Sequence, residues 1–362
     1  MPDEIPFRFV ARAATVNPPN RFEHSRQEAD HEHGFAEDDQ LPGERRKVET
    51  EFLPDRAETL IRENDSPDVS FRFSINAYRG CEHGCVYCYA RPGHETLGMN
   101  AGLDFETRVL VKFDAVKLLR KELNKKHWRP EPIMISGVTD CYQPAERKFQ
   151  LTRGILQVLL EAEHPLTMIT KNSLIVRDLD VLQPLAERRL VGTAISITTL
   201  DAELARTMEP RTATPAAKLR AIRALSEAGV PVRVMVAPII PGLNDHEIPT
   251  ILAAAKEAGA LNAGYVMLRL PWAVAPIFSA WLREHRPLQA DKVESLLRDM
   301  RGGKLYDAQF GTRMKGTGPY AEGVRATFQA FCKKLGLDQP SPELDCSRFR
   351  PPKLPGGQGQ LF

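Results

Sequence analysis

Residues 71–89 read FRFSINAYRGCEHGCVYCY, a pattern in which a short strand leads into three clustered cysteines. Phe71, Phe73 and Ile75 alternate with polar residues, and this period of two predicts a β-strand. The pattern ends just before Gly80. We therefore expect the cysteines to lie in a loop at the end of this strand.

Strands and helices alternate along the chain after this loop. Apolar runs predict five further strands, at 133–135, 166–170, 191–197, 231–237 and 263–270. Helical periodicity predicts the helices between them, at 114–126, 145–163, 178–188, 215–228 and 245–258. Six strands separated by helices predict a parallel sheet with right-handed crossovers, in either a barrel-like or an open doubly wound α/β fold.

The two ends of the chain differ from this repeating part, residues 67–275. Residues 1–70 contain 17 acidic and 9 basic residues, whereas the remainder contains 30 acidic and 40 basic residues. The acidic leader, residues 1–66, has few clustered apolar side chains and is predicted to be largely disordered. Helical patterns predict a C-terminal helical extension over residues 276–338. The Pro- and Gly-rich residues 339–362 predict a flexible tail.

Length and composition exclude collagen, a coiled coil and a small secreted scaffold. A chain of 362 residues with 42% hydrophobic residues can bury a full core without disulfides. Its longest apolar stretches, such as 230–240, are too short to cross a bilayer, and the first residues lack a signal-peptide layout. Six cysteines are too few for a disulfide framework, and three of them lie within eight residues. We therefore expect a cytoplasmic protein without a membrane partner, in which these cysteines bind metal or act in catalysis.

Cys81, Cys85 and Cys88 form a CxxxCxxC motif. Three thiolates at this spacing can hold a cubane iron–sulfur cluster and leave one iron without a protein ligand, and that open iron can chelate a small molecule. Glycines before and within the loop let it wrap closely around a bound group. The alternative is zinc held by the three cysteines and His83, although so compact a loop is a less usual zinc spacing.

Polar side chains follow several of the predicted strands. Because the carboxyl ends of parallel strands meet at one edge of a sheet, α/β folds build their sites there. The segments concerned are 136–141, 170–172, 196–198, 237–238 and Arg269.

Four segments resemble a known family when taken in order: SINAYRGCEHGCVYCYAR (74–91), TDCYQPAE (139–146), TKN (170–172) and MEPRTATPAAKLRAIRALSEAGVPVRVMVAPIIPGLND (208–245). They are similar to the radical S-adenosylmethionine superfamily, and within it to DNA repair photolyase-like proteins related to spore photoproduct lyase. The resemblance covers about residues 67–335. It implies an incomplete (β/α)6 TIM-like barrel with a [4Fe-4S] cluster. The cluster would reduce S-adenosylmethionine and release a 5′-deoxyadenosyl radical that abstracts a substrate hydrogen. Flavodoxin or ferredoxin would supply the electron.

The resemblance also implies roles for individual residues. The cluster ligands are Cys81, Cys85 and Cys88. The residues that contact S-adenosylmethionine are Thr139, Lys171, Ser196 and Ala237. An ammonium suits the cofactor carboxylate, while hydroxyls and a backbone carbonyl can bond ribose or adenine. The alternative for Lys171 is a surface lysine that follows a strand.

One position departs from the family pattern. In spore photoproduct lyase a cysteine at the end of the second strand returns a hydrogen atom to the product, and Gly137 matches its position here. Cys141 is the candidate replacement, and a small buried core residue is the alternative interpretation. Tyr87 and Tyr89 match tyrosines proposed to relay the radical, with packing against the cluster as the alternative.

The substrate is predicted from weaker signals. The C-terminal residues Gln358, Leu361 and Phe362 fit QxxLF, which resembles the peptide that binds bacterial sliding clamps. Together with the basic body and the basic loop 313–315, this favours a nucleic acid substrate. A radical enzyme acting on a peptide or small metabolite, and a non-enzymatic zinc- or cluster-binding adaptor, are the alternatives.

Overall fold

A computed structural model of the chain describes residues 12–22 and 48–354. The strands are β1 (Glu51–Pro54), β2 (Ile61–Glu63), β3 (Phe73–Ile75), β4 (Tyr78–Arg79), β5 (Arg108–Val111), β6 (Ile133–Ile135), β7 (Leu166–Thr170), β8 (Val191–Ile197), β9 (Val232–Ile239) and β10 (Asn262–Met267). The α-helices are α1 (Leu103–Thr107), α2 (Ala115–Leu123), α3 (Glu146–Phe149), α4 (Leu151–Glu161), α5 (Leu179–Glu187), α6 (Ala202–Met208), α7 (Pro215–Glu227), α8 (Ile248–Glu257), α9 (Val274–His285), α10 (Pro287–Asp299) and α11 (Gly318–Leu335).

The main sheet contains the six predicted strands in chain order. Its order is β10-β9-β8-β7-β6-β3-β2, and all pairs are parallel except the last, in which β2 lies antiparallel to β3. The α/β prediction is confirmed. A doubly wound sheet reverses its strand order at a switch point, whereas this order runs in one direction, as in a partial barrel. Within the described residues β10 and β3 do not pair, so the strands do not form a closed barrel.

The predicted helix 145–163 is divided into α3 and α4 at Gln150, whose φ is 50°. The carboxylate of Glu146 explains the break, because it accepts the backbone N–H groups of Thr152 at 3.1 Å and Arg153 at 3.3 Å. These donors belong to the first turn of α4 and have no partner within that helix. Tyr78 donates to the same carboxylate at 2.6 Å, which ties the break to the strand before the cysteines.

A second, three-stranded sheet was missed by the sequence analysis. Its order is β1-β5-β4, with β5 parallel to β1 and antiparallel to β4. Each strand is only two to four residues long, so its alternation is too short to recognise in the sequence. The sheet holds the chain on both sides of the cysteine loop, because β4 enters the loop and β5 follows α1.

The prediction of a disordered leader is wrong for residues 12–22 and 48–66. Strands β1 and β2 lie in this segment, and Arg12, Ala13 and Ala14 are buried. The backbone N–H groups of Ala13 and Ala14 donate to the Glu106 carboxylate at 3.1 and 3.0 Å. An acidic composition does not prevent order here, because the backbone of the segment bonds to a buried acceptor of the body. The remaining residues of the predicted leader lie outside the described part of the chain.

The prediction of a flexible tail is wrong for residues 339–354. Arg350 donates its backbone N–H to Ala162 at 2.9 Å, and its guanidinium pairs with Glu163 at 2.6 Å. Asn124 donates to the Pro352 carbonyl at 2.8 Å, so this segment packs across α2 and α4. The sliding-clamp motif at Gln358, Leu361 and Phe362 lies outside the described residues and stays a prediction.

The predicted C-terminal helices are confirmed as α9, α10 and α11. Helices α9 and α10 belong to the same apolar cluster as the cysteine loop, because Trp281, Phe278 and Val293 share it with Cys85 and Tyr87. The extension therefore supports the loop rather than lying apart from it. Across residues 12–22 and 48–354, no helix is both long and apolar enough to cross a membrane.

Gly84 and Gly98 provide a matched test of how tightly the loop is enclosed. Both have a left-handed φ, 65° and 68°. A Cβ at Gly84 would lie 2.7 Å from Glu106 Oε2, whereas a Cβ at Gly98 would meet nothing within 4 Å. We expect Gly84→Ala to lower the free energy of unfolding by about 2 kcal/mol more than Gly98→Ala. Urea unfolding of both variants measures the difference, and equal losses would contradict an enclosed loop.

Candidate active site

The cysteine loop begins where β4 ends and is shaped by its own backbone. Cys81 donates its N–H to Phe105 O at 2.9 Å, Gly84 N–H bonds Cys81 O at 3.2 Å, and Cys88 N–H bonds Cys85 O at 3.1 Å. These turns place the three cysteines in a single compact loop. Cys81 and Cys85 are buried and Cys88 is half-buried.

Arg91 stabilises the cysteine loop from a buried position. Its fully buried guanidinium donates to Gly84 O and Cys85 O at 3.0 Å each, and it pairs with Glu106 Oε1 at 2.6 Å. It also donates to the carbonyls of Ala101 and Gly102. This role of Arg91 could not be predicted from the sequence, because an arginine three residues after Cys88 carries no signal of burial.

The surroundings of the three thiols disfavour their thiolate forms unless a cation is bound. Burial raises the pKa of Cys81, and the nearby Asp140 carboxylate and the other two cysteines raise it further. Backbone N–H groups act in the opposite direction: that of Asp140 favours the thiolate of Cys81, and those of Ala90 and Arg91 favour the thiolate of Cys88. Three neighbouring thiolates are therefore stable only with a cationic centre between them, which the irons of a cluster provide.

The zinc alternative fits this geometry poorly. Both ring nitrogens of His83 face other groups, since Nδ1 lies 3.4 Å from Asp140 Oδ2 and Nε2 lies 3.1 Å from Asn172 Nδ2. In the part of the chain that the structure describes, no three His, Cys, Asp or Glu side chains converge to hold a single ion. A cubane cluster places each thiolate on a different iron, so its three ligands need not converge on one point.

Lys171 joins the ends of three strands. It follows β7, and its Nζ donates to Ser196 Oγ at 3.0 Å and Thr198 Oγ1 at 2.9 Å, both at the end of β8, and to Ala237 O of β9 at 2.8 Å. Three of the four predicted cofactor-binding residues, Lys171, Ser196 and Ala237, are thus in direct contact. The alternative of a free surface lysine is wrong, because the side chain is mostly buried in this network.

Thr139, the fourth predicted residue, is not in this network. Its hydroxyl donates to Tyr78 O at 2.8 Å, and its carbonyl accepts from Ser136 Oγ at 2.7 Å. Its neighbour Asp140 provides the link instead, because its carboxylate accepts the Lys171 backbone N–H at 2.7 Å and the Thr170 hydroxyl at 2.6 Å. Asp140 therefore fixes the backbone from which Lys171 extends.

Glu209 is a site residue that the sequence analysis missed. Its carboxylate lies 2.7 Å from Lys218 Nζ and 3.5 Å from Lys171 Nζ, and it accepts a hydrogen bond from Tyr87. Burial acts to raise the pKa of Glu209, but Lys171 and Lys218 lower it more, so the group stays ionised. Its position in the MEPRTATP segment, which resembles the family, was the available signal in the sequence. With the Asp140 carboxylate beside Lys171, the two lysines and Glu209 form a network of compensated charges at the strand ends.

The two tyrosines of the loop have different environments. Tyr87 is buried and bonds Glu209 and Thr198, so it is part of the Lys171 network. Tyr89 is 44% exposed and donates to the Gly137 carbonyl. A phenol is protonated at neutral pH, so this hydroxyl can act as a donor.

Cys141 is buried in the main core. Its Sγ lies 3.8 Å from Ile169 O, and its backbone N–H bonds Ser136 Oγ at 3.0 Å. Among the described residues it is Tyr89, rather than Cys141, that contacts Gly137. The geometry favours the core interpretation of this cysteine.

Comparisons of sequence cover the segment that contains these residues. The family model of the radical SAM superfamily matches residues 75–255, which include the cysteine loop, Lys171 and Glu209. An uncharacterized protein of Mycobacterium tuberculosis is 38% identical over 232 residues, which are 64% of this chain and 68% of that protein. An uncharacterized protein of Methanocaldococcus jannaschii is 31% identical over 176 residues, which are 49% of this chain and 63% of that protein.

Comparisons of structure extend the likeness in fold beyond this segment. Spore photoproduct lyase complexed with dinucleoside spore photoproduct superposes with a TM-score of 0.54 at 18% identity, covering 78% of each chain. A variant of that lyase with bound AdoMet and the same dinucleoside gives a TM-score of 0.55 at 17% identity, with the same coverage. At this identity the likeness shows a shared fold.

The Glu209–Lys218 pair provides a test of the charge network. Replacing Lys218, which is 1% exposed, by Met removes one cation from a buried carboxylate, so we expect Lys218→Met to lower the free energy of unfolding by about 3 kcal/mol. The double variant Glu209→Gln/Lys218→Met removes both charges of this pair but leaves Lys171 without its carboxylate, so it is expected to recover only part of this loss.

Arg223 on the same helix is the matched control. It pairs with Glu257 at 3.9 Å on the surface, so Arg223→Met is expected to change the stability little. Urea unfolding measures all three proteins. Equal losses in Lys218→Met and Arg223→Met would contradict the buried network.

Proposed function

Because the chain belongs to the radical SAM superfamily, whose enzymes catalyse radical reactions, we propose that it is a radical enzyme that abstracts hydrogen from a nucleic acid. Membership implies a [4Fe-4S] cluster and S-adenosylmethionine as cofactors. The single observation that supports the proposal most strongly is the Lys171 network. It places a fixed ammonium at the strand ends and connects it, through Glu209 and Tyr87, to the cysteine loop.

The proposed unit is residues 67–275, with residues 276–338 as a supporting extension. Cys81, Cys85 and Cys88 would hold the cluster. When bound, the cluster supplies the electron that cleaves S-adenosylmethionine to methionine and a 5′-deoxyadenosyl radical. Members of the superfamily need an electron donor, for which we propose flavodoxin or ferredoxin.

This chain's own residues would bind and orient S-adenosylmethionine. The Lys171 ammonium would meet the cofactor carboxylate by exchanging one of its present hydrogen bonds, to Ser196, Thr198 or Ala237, for a charge-assisted one. Released from Lys171, the Ser196 hydroxyl and the Ala237 carbonyl would bond ribose and adenine. Thr139 would shape the same edge of the sheet from the end of β6.

For return of the hydrogen atom, Tyr89 is the better-placed group. It lies directly after Cys88 and donates to Gly137, the position that matches the relative's donor cysteine. Cys141, with its thiol turned to the Ile169 carbonyl within the core, would need to move to reach the same place. We therefore propose Tyr89 as the residue next to the substrate radical, with Tyr87 in a positioning role.

A nucleic acid substrate is supported by charge and by the fold relative. Residues 71–362 contain 30 acidic and 40 basic residues, and the solved lyase of the same fold holds a dinucleoside lesion. The basic loop contributes less than its composition indicates, because Arg313 pairs with Asp68. Binding that weakens steeply with salt would support nucleic acid, whereas salt-independent binding of a peptide or metabolite would contradict it.

The first test is formation of 5′-deoxyadenosine. The protein is purified and reconstituted anaerobically, then reduced with dithionite in the presence of S-adenosylmethionine. We expect 5′-deoxyadenosine from the native protein and from Cys332→Ala, a buried cysteine of α11, and none from Cys81→Ala. Equal product from both variants, or a protein that carries zinc instead of iron, would contradict the proposal and favour a binding adaptor.

A second test addresses the cofactor site. Lys171→Met removes the ammonium that meets the carboxylate, and loss of one charge-assisted contact is expected to weaken S-adenosylmethionine binding about 10- to 100-fold. Lys256→Met, an exposed lysine of α8, is the control and should bind normally. Anaerobic equilibrium dialysis measures both. Unchanged binding in Lys171→Met would remove this residue from the site.

A further inference from the structure

Two groups of packed arginine and aromatic side chains, joined along the chain through residues 269–272, begin at the cysteine loop. The Arg269 guanidinium lies 4.5 Å from the centre of the Tyr89 ring, and the Trp272 and Tyr306 rings are 6.4 Å apart. The Arg21 guanidinium lies 4.2 Å from the centre of the Trp272 ring. We call these five residues, Arg21, Tyr89, Arg269, Trp272 and Tyr306, the Arg–aromatic face.

Trp272 is the most unusual member of this face. It is 58% exposed, although large aromatic side chains are normally buried for most of their area. Its φ is 46°, a left-handed conformation that is rare for a bulky residue and costs free energy. Neither feature contributes to a core. An exposed, strained aromatic residue just beyond the carboxyl end of β10 is typical of a binding surface.

Arg269 gives the face a positive charge that has no carboxylate partner. Among the described residues its guanidinium contacts the Met314 sulfur at 3.0 Å and the Tyr89 ring, and no carboxylate lies within ion-pair distance. The nearest acidic group that influences it, Asp68, is already paired with Arg313. Arg269 is therefore free to pair with an anion from outside the chain.

The position of the face connects it to the proposed chemistry. Tyr89 belongs both to the Arg–aromatic face and to the proposed active site, since it follows Cys88 directly and its hydroxyl bonds Gly137. The face extends from there to Arg21 of the N-terminal segment, whose other partner is Glu95 at 2.9 Å. A ligand bound along the face would have one end beside the reacting centre.

We propose that the Arg–aromatic face binds single-stranded nucleic acid, with unpaired bases stacked on Trp272 and Tyr306 and backbone phosphates paired with Arg269. Exposed rings interleaved with arginines are the combination that binds single strands without reading their sequence, because every base has a stacking surface and every nucleotide has a phosphate. In a duplex the paired bases are not free to stack on the face. This inference rests on the proposed nucleic acid substrate and specifies its form.

The test is binding of a fluorescein-labelled oligothymidylate to the reconstituted holoenzyme with S-adenosylmethionine, measured by fluorescence anisotropy at two salt concentrations. We expect Trp272→Ala to weaken binding about tenfold or more, and Trp272→Phe to retain most of it, because a ring remains. Arg269→Met should weaken binding and also reduce its salt dependence.

Two matched controls separate the face from general surface effects. Phe113 is 51% exposed and packs against Phe149, so Phe113→Ala removes an exposed ring elsewhere. Arg220→Met removes an exposed arginine of α7. Both should bind the oligonucleotide like the native protein.

Tryptophan fluorescence gives a second readout. Trp281 is fully buried and Trp128 is half-buried, so oligonucleotide binding should quench mainly the fluorescence of Trp272. Trp272→Phe should lose that quenching.

The outcomes distinguish this inference from the function on which it rests. Salt-dependent binding that is equal in native protein, Trp272→Ala and Arg269→Met would contradict binding at the Arg–aromatic face. It would not contradict a nucleic acid substrate. Absence of oligonucleotide binding by a native protein that forms 5′-deoxyadenosine would overturn both the face and the nucleic acid substrate, while the radical chemistry would stand. Preference for a duplex over the single strand would also overturn the face.

Discussion

The buried pair of Arg91 and Glu106 is the interaction on which the site depends. Arg91 donates to four backbone carbonyls, two in the cysteine loop and two in the segment before α1. The Glu106 carboxylate pairs with Arg91 and accepts the backbone N–H groups of Ala13 and Ala14. Neither side chain of the pair is exposed to solvent. A buried ion pair contributes little net stability by itself, but removing one partner leaves an uncompensated charge. The pair therefore fixes the shape of the cysteine loop, because any other arrangement of the loop would break it.

The strand ends form a second network, which is also built from buried charges. Asp140 fixes the backbone at Lys171, and Lys171 spans to the ends of β8 and β9. Glu209 joins this lysine to Lys218 on α7 and to Tyr87 in the cysteine loop. The cofactor-binding edge of the sheet and the loop thus share one set of buried charges. A displacement of either part would disturb the other, which is a physical reason for the loop and the strand ends to act as one site.

Some of this arrangement could be predicted from the sequence. Strands β7 and β8 were predicted with their observed bounds, because five and seven consecutive residues with apolar alternation give a clear period. The resemblance to the family implied Lys171, Ser196 and Ala237, and their convergence follows because the carboxyl ends of parallel strands meet at one edge of a sheet. The break at Gln150 was missed, because it arises from the Glu146 carboxylate and not from a turn residue. Residues 12–14 were missed because their burial depends on Glu106, about 90 residues away, and composition does not report such contacts.

The central claim is that the cysteine loop holds a cluster close enough to the Lys171 network for S-adenosylmethionine to bind both. Electron paramagnetic resonance of the anaerobically reconstituted, dithionite-reduced protein tests this directly, with spectra recorded before and after S-adenosylmethionine is added. The account predicts the signal of a reduced [4Fe-4S] cluster whose line shape changes when S-adenosylmethionine is added, because the cofactor binds the iron that has no cysteine ligand. A cluster signal that S-adenosylmethionine leaves unchanged, or iron-loaded protein that gives no cluster signal, would contradict it.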